Sequence, residues 1–217
     1  MKQLLNWVYK SNCYICKKTI PEGCLCTECL NSFENLDPEP VKNINDLKIY
    51  ARGLYAGNLR KIIKAIKYHD KKEFAKILAA ELYELWKELN PNSINEEIEI
   101  IPVPLHKNRH KSRKYNHMEL ISNEFSKLSG FKTNINLLKR VKDTKPQYKL
   151  TVHERKQNLK NAFQVNTAHY NNNTILIIDD IATTGVTLEE IIKEFRKNDI
   201  NKIKVIVISV ATGEKYL

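Results

Sequence analysis

The segment that most constrains the fold runs from Thr174 to Thr187 and includes the four aliphatic residues 175–178. An aliphatic run of this length predicts a strand that is buried on both faces of a parallel sheet. After two aspartates and a short loop, Thr187 is predicted as a helix N-cap, since Glu190 three residues later would complete a capping box. The sequence therefore predicts a loop that joins the carboxyl end of a buried strand to the N-terminus of a helix.

This loop has the composition of a phosphate-binding site. Ligands of open α/β sheets bind beyond the carboxyl ends of the strands, and the N–H groups at a helix start favour an anion. Small side chains would let the backbone approach a phosphate, threonine hydroxyls would donate hydrogen bonds, and Gly185 can adopt a positive φ. The predicted phosphate-binding residues are Ala182, Thr183, Thr184, Gly185, Val186 and Thr187.

Two adjacent carboxylates precede the loop. Asp179 and Asp180 are predicted to accept hydrogen bonds from sugar hydroxyls or to hold Mg²⁺, which prefers oxygen ligands. Phosphate donors beside diol acceptors suggest a ribose 5-phosphate as the ligand. The alternative is an ordinary strand-to-helix connection in which the aspartates cap loop amides.

The order of strand, acid pair, Thr-Thr-Gly and capped helix closely resembles the phosphoribosyl-diphosphate (PRPP) binding motif of type I phosphoribosyltransferases. The resemblance implies that Asp179 and Asp180 bind the ribose hydroxyls of PRPP, with Mg²⁺ as a cofactor, and that residues 182–187 bind its 5-phosphate. No residue is identified as a general base or as part of an acceptor pocket. The sequence therefore leaves open whether the protein is an enzyme.

Positive charge is concentrated in one part of the chain. The net charge is +11, and residues 101–160 alone carry 15 basic and 4 acidic residues, so the remainder is balanced. Such a concentration favours a polyanion, either a pyrophosphate-bearing small molecule or a nucleic-acid backbone; a solvated basic surface is the alternative. The residues predicted to contact a diphosphate or a DNA backbone are Lys107, Arg109, Lys111 and Arg113.

All five cysteines lie near the start of the chain, at positions 13, 16, 24, 26 and 29. Two Cys-x-x-Cys pairs separated by a short loop match the four thiolates of a structural zinc site, whereas disulfides would require an oxidising compartment. The spacing predicts Zn²⁺ ligation by Cys13, Cys16, Cys26 and Cys29, although Cys24 in place of Cys26 is compatible with it. Because four thiolates leave no open position, the expected role is folding or docking.

The chain is predicted to divide into a zinc ribbon with a linker, residues 1–46, and an α/β domain, residues 47–217. Apolar residues at helical spacing predict two helices between residues 58 and 89, and the polar segment 139–157 is predicted to be a mobile flap. The chain shows no membrane-spanning run and no signal-peptide core, so a cytoplasmic location is expected. The N-terminal apolar residues, Leu4, Leu5, Trp7 and Val8, are expected to pack against the cysteines, with contact to the inner face of the membrane as the alternative.

A second resemblance covers nearly the whole chain. Its motifs are the four-cysteine knuckle, Pro102-Val103-Pro104-Leu105, Arg113-Lys114-Tyr115-Asn116-His117, Thr144-x-Pro146-Gln147, Glu154-Arg155-x-x-Asn158 and the central loop. In this order they resemble the ComF family of competence proteins. The resemblance implies a type I phosphoribosyltransferase-like parallel sheet flanked by helices, joined to a small zinc ribbon. Members of that family commonly have Arg-Gly-Phe-Asn-Gln where this chain has Arg113 to His117, so the turn and the amide contact differ in this chain.

Three hypotheses for the function follow. The ComF resemblance implies a natural-transformation factor that acts on incoming single-stranded DNA. In the first hypothesis the basic segment binds this DNA, with Tyr115 or Tyr148 stacking on bases, and residues 179–187 bind PRPP or a related phosphoribosyl ligand. The second is a phosphoribosyltransferase of nucleotide salvage, in which a nitrogen base attacks the sugar as pyrophosphate departs. The third is an adaptor whose zinc knuckle docks on a DNA-translocating helicase or a recombination mediator.

Overall fold

The computed structural model describes residues 11–91, 96–106, 115–144 and 150–211. The strands in these ranges are β1 Ser11–Asn12, β2 Thr19–Ile20, β3 Pro40–Ile44, β4 Leu47–Leu54, β5 Ile98–Pro102, β6 Lys132–Thr133, β7 Leu138–Arg140, β8 Phe163–Val165, β9 Thr174–Ala182 and β10 Ile203–Val210. The helices are α1 Thr27–Leu30, α2 Gly57–Tyr68, α3 Phe74–Leu89, α4 His117–Ser129, α5 Val152–Leu159 and α6 Val186–Lys197.

The centre of the fold is a six-stranded sheet with the order β3-β4-β10-β9-β5-β6. Its pairs are parallel except for β3 and β4, which are antiparallel. Strand β9 lies between β10 and β5, and the aliphatic residues 175–178 are fully buried. The predicted buried parallel strand is therefore confirmed, and its carboxyl end lies in the middle of the sheet edge where ligands of such folds bind.

Helices cover both faces of this sheet. On one face α2, α3 and α4 pack on the even-numbered residues of β9, Leu176 and Ile178; on the other, α6 packs on Ile175 and Ile177. The two predicted helices between residues 58 and 89 are α2 and α3, and each buries its apolar stripe. Burial of each large aliphatic side chain contributes roughly 1.5–3 kcal/mol, so these stripes fix the helices on the sheet.

Three local predictions differ from the structure. The predicted linker contains β3, because residues 40–44 pair with β4 at the sheet edge, while the division of the chain at residue 46 stays a prediction. The predicted flap ends before α5, because Thr151 and Glu154 form a capping box that starts this helix. Helix α6 begins at Val186, with Gly185 rather than Thr187 at its N-cap, because Gly185 adopts the left-handed conformation with φ +83°.

Candidate functional site

The cysteine cluster lies in the hairpin of β1 and β2 and the short helix α1. The Sγ atoms of Cys13, Cys16, Cys26 and Cys29 lie within 4.8 Å of one another, and those of Cys16 and Cys26 are 3.7 Å apart. Cys26 also caps α1, where its sulfur accepts a hydrogen bond from the backbone N–H of Cys29 at 3.4 Å. Of the two alternatives left by the spacing, the structure brings Cys26 rather than Cys24 into the cluster. A group of four sulfur donors at this separation is able to hold a metal ion such as zinc.

The thiols of this cluster differ in acidity. Burial acts to raise the pKa of Cys13, but hydrogen bonds from backbone groups of Cys26, Cys16 and Ile15 outweigh it and lower the pKa to about 6. Burial and hydrogen bonds with the neighbouring thiols raise the pKa of Cys29 to about 12. One thiolate therefore forms readily, while ionising all four requires a positive charge among the sulfurs. Zn²⁺ would supply that charge.

The two aspartates lie at the carboxyl end of β9, inside the strand. Because side chains alternate along a strand, Asp179 shares the face of Ile177, and Asp180 shares the face of Ile178. Both residues are 8% exposed. The strand continues through Ala182, so the loop itself is limited to residues 183–185.

Asp180 is held by two side chains from the helices on its face. Its Oδ2 atom lies 2.6 Å from Nζ of Lys67, in the last turn of α2, and also contacts Nε2 of His117, the first residue of α4. The helix start that presents His117 is capped by Asn116, whose side chain accepts a hydrogen bond from the N–H of Met118 at 3.0 Å. Helices α2 and α4 thus converge on one carboxylate oxygen.

Among the described residues, Asp179 has no such partner and makes a local contact instead. Its Oδ1 accepts a hydrogen bond from the backbone N–H of Asp180 at 2.9 Å. Within the described ranges, Oδ2 of Asp179 and Oδ1 of Asp180 accept no hydrogen bond from the protein. Each carboxylate therefore keeps one oxygen for a ligand.

These surroundings shift the pKa values of the two carboxyl groups in opposite directions. Burial acts to raise the pKa of Asp180, but the charge of Lys67 and the hydrogen bond with His117 hold it far below its usual range. Burial, followed by the negative charge of Asp180, raises the pKa of Asp179 to about 7. At neutral pH Asp180 is ionised and paired with Lys67, whereas Asp179 changes its charge state near pH 7.

The loop after the aspartates is supported by β3. Nζ of Lys42 donates to the carbonyl oxygens of Thr183 and Thr184 at 3.2 and 3.1 Å. A Cβ atom on Gly185 would lie 2.7 Å from Cδ1 of Ile44, so the loop lies directly against this strand. Lys42 thus binds the carbonyl groups of the loop, while the first N–H groups of α6, like those of any helix, have no partner within the helix.

A buried guanidinium completes the surroundings of the loop. Arg155, on α5, is 5% exposed, and its Nη1 donates to Oγ1 of Thr183 at 3.4 Å. A second buried arginine, Arg140 at the end of β7, contacts Thr144 and lies over the ring of Phe163. These cations lie near a loop that is predicted to bind a phosphate, which is the charge that they attract.

The sequence predicted only part of this site. Lys42 lies in a segment predicted to be a linker, and Lys67 lies in a helix predicted for its apolar stripe alone. The sequence singles out His117 only because it differs from the residue common in the ComF family. Its contact with Asp180 joins residues that are 63 positions apart. The separation of Lys42 from Thr183 is larger still, at 141 positions. Local patterns carry no information on such contacts.

The remaining predicted residues are Tyr115 and a set for which the structure gives no position. Lys107, Arg109, Lys111, Arg113, Tyr148 and the N-terminal apolar residues are outside the described residues. Tyr115 is half-buried against α2, where its hydroxyl donates to the carbonyl of Ile66 at 2.6 Å and Nζ of Lys72 lies 4.8 Å from its ring centre. In the part of the chain that the structure describes, no helix is long and apolar enough to cross a membrane.

Comparison with known proteins gives three kinds of match. Residues 72–216 match the phosphoribosyl transferase domain family. Competence protein F of Haemophilus influenzae is 41% identical over 108 residues, which are 49% of this chain and 47% of that protein. The DNA utilization protein YhgH of Escherichia coli strain CFT073 is 29% identical over 152 residues, 70% of this chain and 66% of that protein. Among solved structures, a hypoxanthine phosphoribosyltransferase from Staphylococcus aureus aligns with 11% identity and a TM-score of 0.36, over 66% of this chain and 75% of that one.

The family match over residues 72–216 agrees with the architecture described above. The alignment spans about half the length of competence protein F and 66% of the YhgH protein. The resemblance to competence proteins that the motif order indicates is confirmed, as is the predicted fold class of a parallel sheet flanked by helices with an N-terminal four-cysteine cluster.

Proposed function

Because the chain belongs to the phosphoribosyl transferase domain family, we propose that Asp179, Asp180 and residues 182–187 bind PRPP or a related phosphoribosyl ligand. In this proposal the protein is a DNA-uptake factor of natural transformation that handles single-stranded DNA on the cytoplasmic side of the inner membrane. The observation that carries the ligand proposal is the pair of buried aspartates, each with one oxygen without a protein partner in the described ranges, directly before a loop held by Lys42.

The ligand would be bound from both ends. Hydroxyls of the ribose would donate to Oδ2 of Asp179 and Oδ1 of Asp180, while the N–H groups at the start of α6 and the hydroxyls of Thr183 and Thr184 would donate to the 5-phosphate. Arg155 places a positive charge beside this phosphate, because it already contacts Thr183. Mg²⁺, when bound with PRPP, would offset the charge of the diphosphate.

The cysteine cluster is proposed to hold one structural Zn²⁺. Four sulfur donors within 4.8 Å of one another leave no position for a substrate, so the metal would stabilise the hairpin and α1 rather than take part in a reaction. The lowered pKa of Cys13 favours thiolate formation at neutral pH, which metal binding requires.

The DNA half of the proposal is supported by similarity and by charge. The relatives are named a competence protein and a DNA utilization protein, and the chain carries a net charge of +11. Phosphate neutralisation would supply most of the binding free energy, so affinity for single strands should fall steeply with salt.

A second candidate is a salvage phosphoribosyltransferase, which the family match over residues 72–216 favours. This function requires an acceptor that attacks the anomeric carbon as pyrophosphate leaves. A panel of purine and pyrimidine bases, assayed for pyrophosphate release from PRPP, separates the two candidates. Pyrophosphate release with one efficient acceptor base would establish the salvage function. If no base in the panel causes release, the salvage function is excluded.

The ligand proposal is tested by calorimetric titration of PRPP with Mg²⁺ into the wild type and Asp179→Asn. We expect at least about tenfold weaker binding in the variant, because it loses a charged hydrogen-bond acceptor while Asp180 keeps its partners. Glu84→Gln, which changes one exposed carboxylate on α3, is the matched control. Equal affinity in the wild type and Asp179→Asn would contradict the assigned role, and no binding to folded wild type would reject the ligand.

A further inference from the structure

Helix α2 presents a basic outer face that the charge distribution of the sequence does not reveal. The helix contains four cations, Arg60, Lys61, Lys64 and Lys67, and no acidic residue. Arg60, Lys61 and Lys64 are exposed, whereas Lys67 turns inward to Asp180. With Tyr68, which is 62% exposed, the three outward cations form what we call the α2 basic face.

The cations of this face contact polar and aromatic side chains in the described part of the chain, and not acidic ones. Nζ of Lys61 donates to the side-chain oxygen of Asn58 at 3.2 Å, and the guanidinium of Arg60 lies 5.8 Å from the ring centre of Tyr55. Within residues 11–91, 96–106, 115–144 and 150–211, no carboxylate lies at ion-pair distance from Arg60, Lys61 or Lys64.

Neighbouring helices arrange their charges differently. Lys87 pairs with Glu84 on α3 at 2.7 Å, and Lys127 pairs with Glu124 on α4 at 2.5 Å. Beyond the end of α2, Lys72 lies 3.5 Å from Asp70, so the acids that follow the helix are themselves compensated. Each of the other described α-helices contains at least one acidic residue, so among them the absence of acids is a property of α2 alone.

Helix stability does not account for this arrangement. Arg60 and Lys64 are four residues apart and Lys61 and Lys64 three, so they are adjacent on the helix surface and repel one another. Arg60 also lies near the helix N-terminus, where the helix dipole favours acidic residues. A bound polyanion would attract these cations, and this attraction would offset both their mutual repulsion and the unfavourable interaction of Arg60 with the helix dipole.

The position of this face connects it to the candidate ligand site. Lys67, on the same helix and three residues from Lys64, contacts Asp180 with an Nζ to Oδ2 distance of 2.6 Å. An extended polyanion on α2 would therefore lie about one helical turn from the carboxylates.

We propose that the α2 basic face binds the phosphate backbone of single-stranded nucleic acid, with bases stacking on Tyr68. Single-strand binding surfaces combine a track of cations with exposed aromatic side chains, and here three exposed cations lie beside the exposed ring of Tyr68. A helix that inserts into a lipid surface needs exposed aliphatic or tryptophan side chains. The exposed positions of α2 carry neither. This inference rests on the proposed handling of single-stranded DNA and assigns it to a surface outside residues 101–160.

The test compares two triple variants of equal charge. Arg60→Gln/Lys61→Gln/Lys64→Gln removes the face, while Lys48→Gln/Lys193→Gln/Lys202→Gln removes three exposed lysines outside α2. Binding of fluorescent oligothymidylate is measured by anisotropy over a series of salt concentrations, with thermal unfolding to confirm the fold of each variant. Gln keeps helix propensity, so folding should be preserved.

We expect the α2 variant to bind roughly 100-fold more weakly at about 0.1 M salt, and the slope of log K against log salt to fall by about two, because about 0.7 counterion is released per phosphate contact on a single strand. The control should change neither quantity comparably. Tyr68→Ala should weaken binding about tenfold, and Tyr68→Phe should not, since Phe retains the stacking surface.

Three other results would contradict the proposal in different ways. Wild-type binding that falls equally in both triple variants would reject the α2 face while leaving DNA handling in place. Absence of binding to the wild type would reject the proposed DNA function itself. If the α2 variant instead loses binding to phosphatidylglycerol vesicles and keeps its affinity for oligothymidylate, the face is a membrane contact and the inference is wrong.

Discussion

The cysteine cluster and the aspartate pair are both places where like charges are brought together, and they differ in where the opposite charge comes from. Around the cluster, the four sulfurs lie within 4.8 Å of one another and a metal ion is the cation that suits them. At the aspartates, the protein supplies Lys67 and His117 to Asp180 and gives no such partner to Asp179 within the described residues. Under the proposal above, the first site takes its cation from outside the protein, whereas the second takes it from Lys67 and keeps acceptors for a ligand.

The largest effect is expected from removing the metal that the cluster is proposed to hold. Structural zinc contributes about 10–16 kcal/mol in small zinc domains, so Cys29→Ser should abolish zinc binding and expose the amides of residues 13–29 to hydrogen exchange. The sheet around β9, which has its own core, should stay protected. Cys24→Ser is the matched control, and zinc loss in this variant but not in Cys26→Ser would reverse the ligand assignment.

The second-largest effect, on protein stability, is expected from separating the buried charge of Lys67 from Asp180. Asp180→Asn leaves the charge of Lys67 with 15% side-chain exposure and no ionised partner on Asp180, so we expect a loss of about 3–5 kcal/mol in the free energy of unfolding. Adding Lys67→Met should recover part of that loss, because it removes the stranded charge. Urea denaturation of the two single variants and the double variant measures this coupling, and additive losses would show that the pair is not coupled.

A smaller effect tests whether β3 fixes the loop in place. Gly185→Ala would strain the backbone at φ +83° and place a methyl group 2.7 Å from Cδ1 of Ile44, at a cost of about 2 kcal/mol. Ile44→Val removes Cδ1, so the alanine should cost less in that background. If the loss in unfolding free energy is the same in both backgrounds, the contact with β3 does not limit residue 185.

The smallest effect is a pH dependence of stability that is expected from Asp179 and not from Asp180. The pKa of Asp179 in the folded protein, about 7, lies above its usual value of 3.8, so its contribution to stability is fully present below about pH 4 and is lost as the pH rises through 7. Asp179→Asn removes this term, and its stability relative to the wild type should rise by about 1 kcal/mol between pH 6 and pH 8. Urea midpoints across this range measure the difference, and a constant offset would show that Asp179 does not titrate there.

The two regions also differ in how far the sequence predicts them. The cysteine cluster is specified by two short motifs within 17 residues, so local spacing predicts its ligands apart from the choice between Cys24 and Cys26. Strand β9 and its aspartates are likewise predicted by composition and order. The partners of the aspartates and of the loop are not, because Lys67, His117 and Lys42 reach them from other elements of the fold. Their roles depend on sheet order and helix placement, which no local pattern encodes.

Strand β3 sets a limit on how the chain can be recombined with other proteins. It follows the cysteine hairpin in sequence, yet it pairs with β4 and carries Lys42 to the loop at Thr183 and Thr184. A graft that replaced everything before residue 47 would expose the edge of β4 and remove the support of that loop. Exchange of the cysteine module is therefore tolerable only through a junction upstream of Pro40, and homologues with a different N-terminal module should retain this strand.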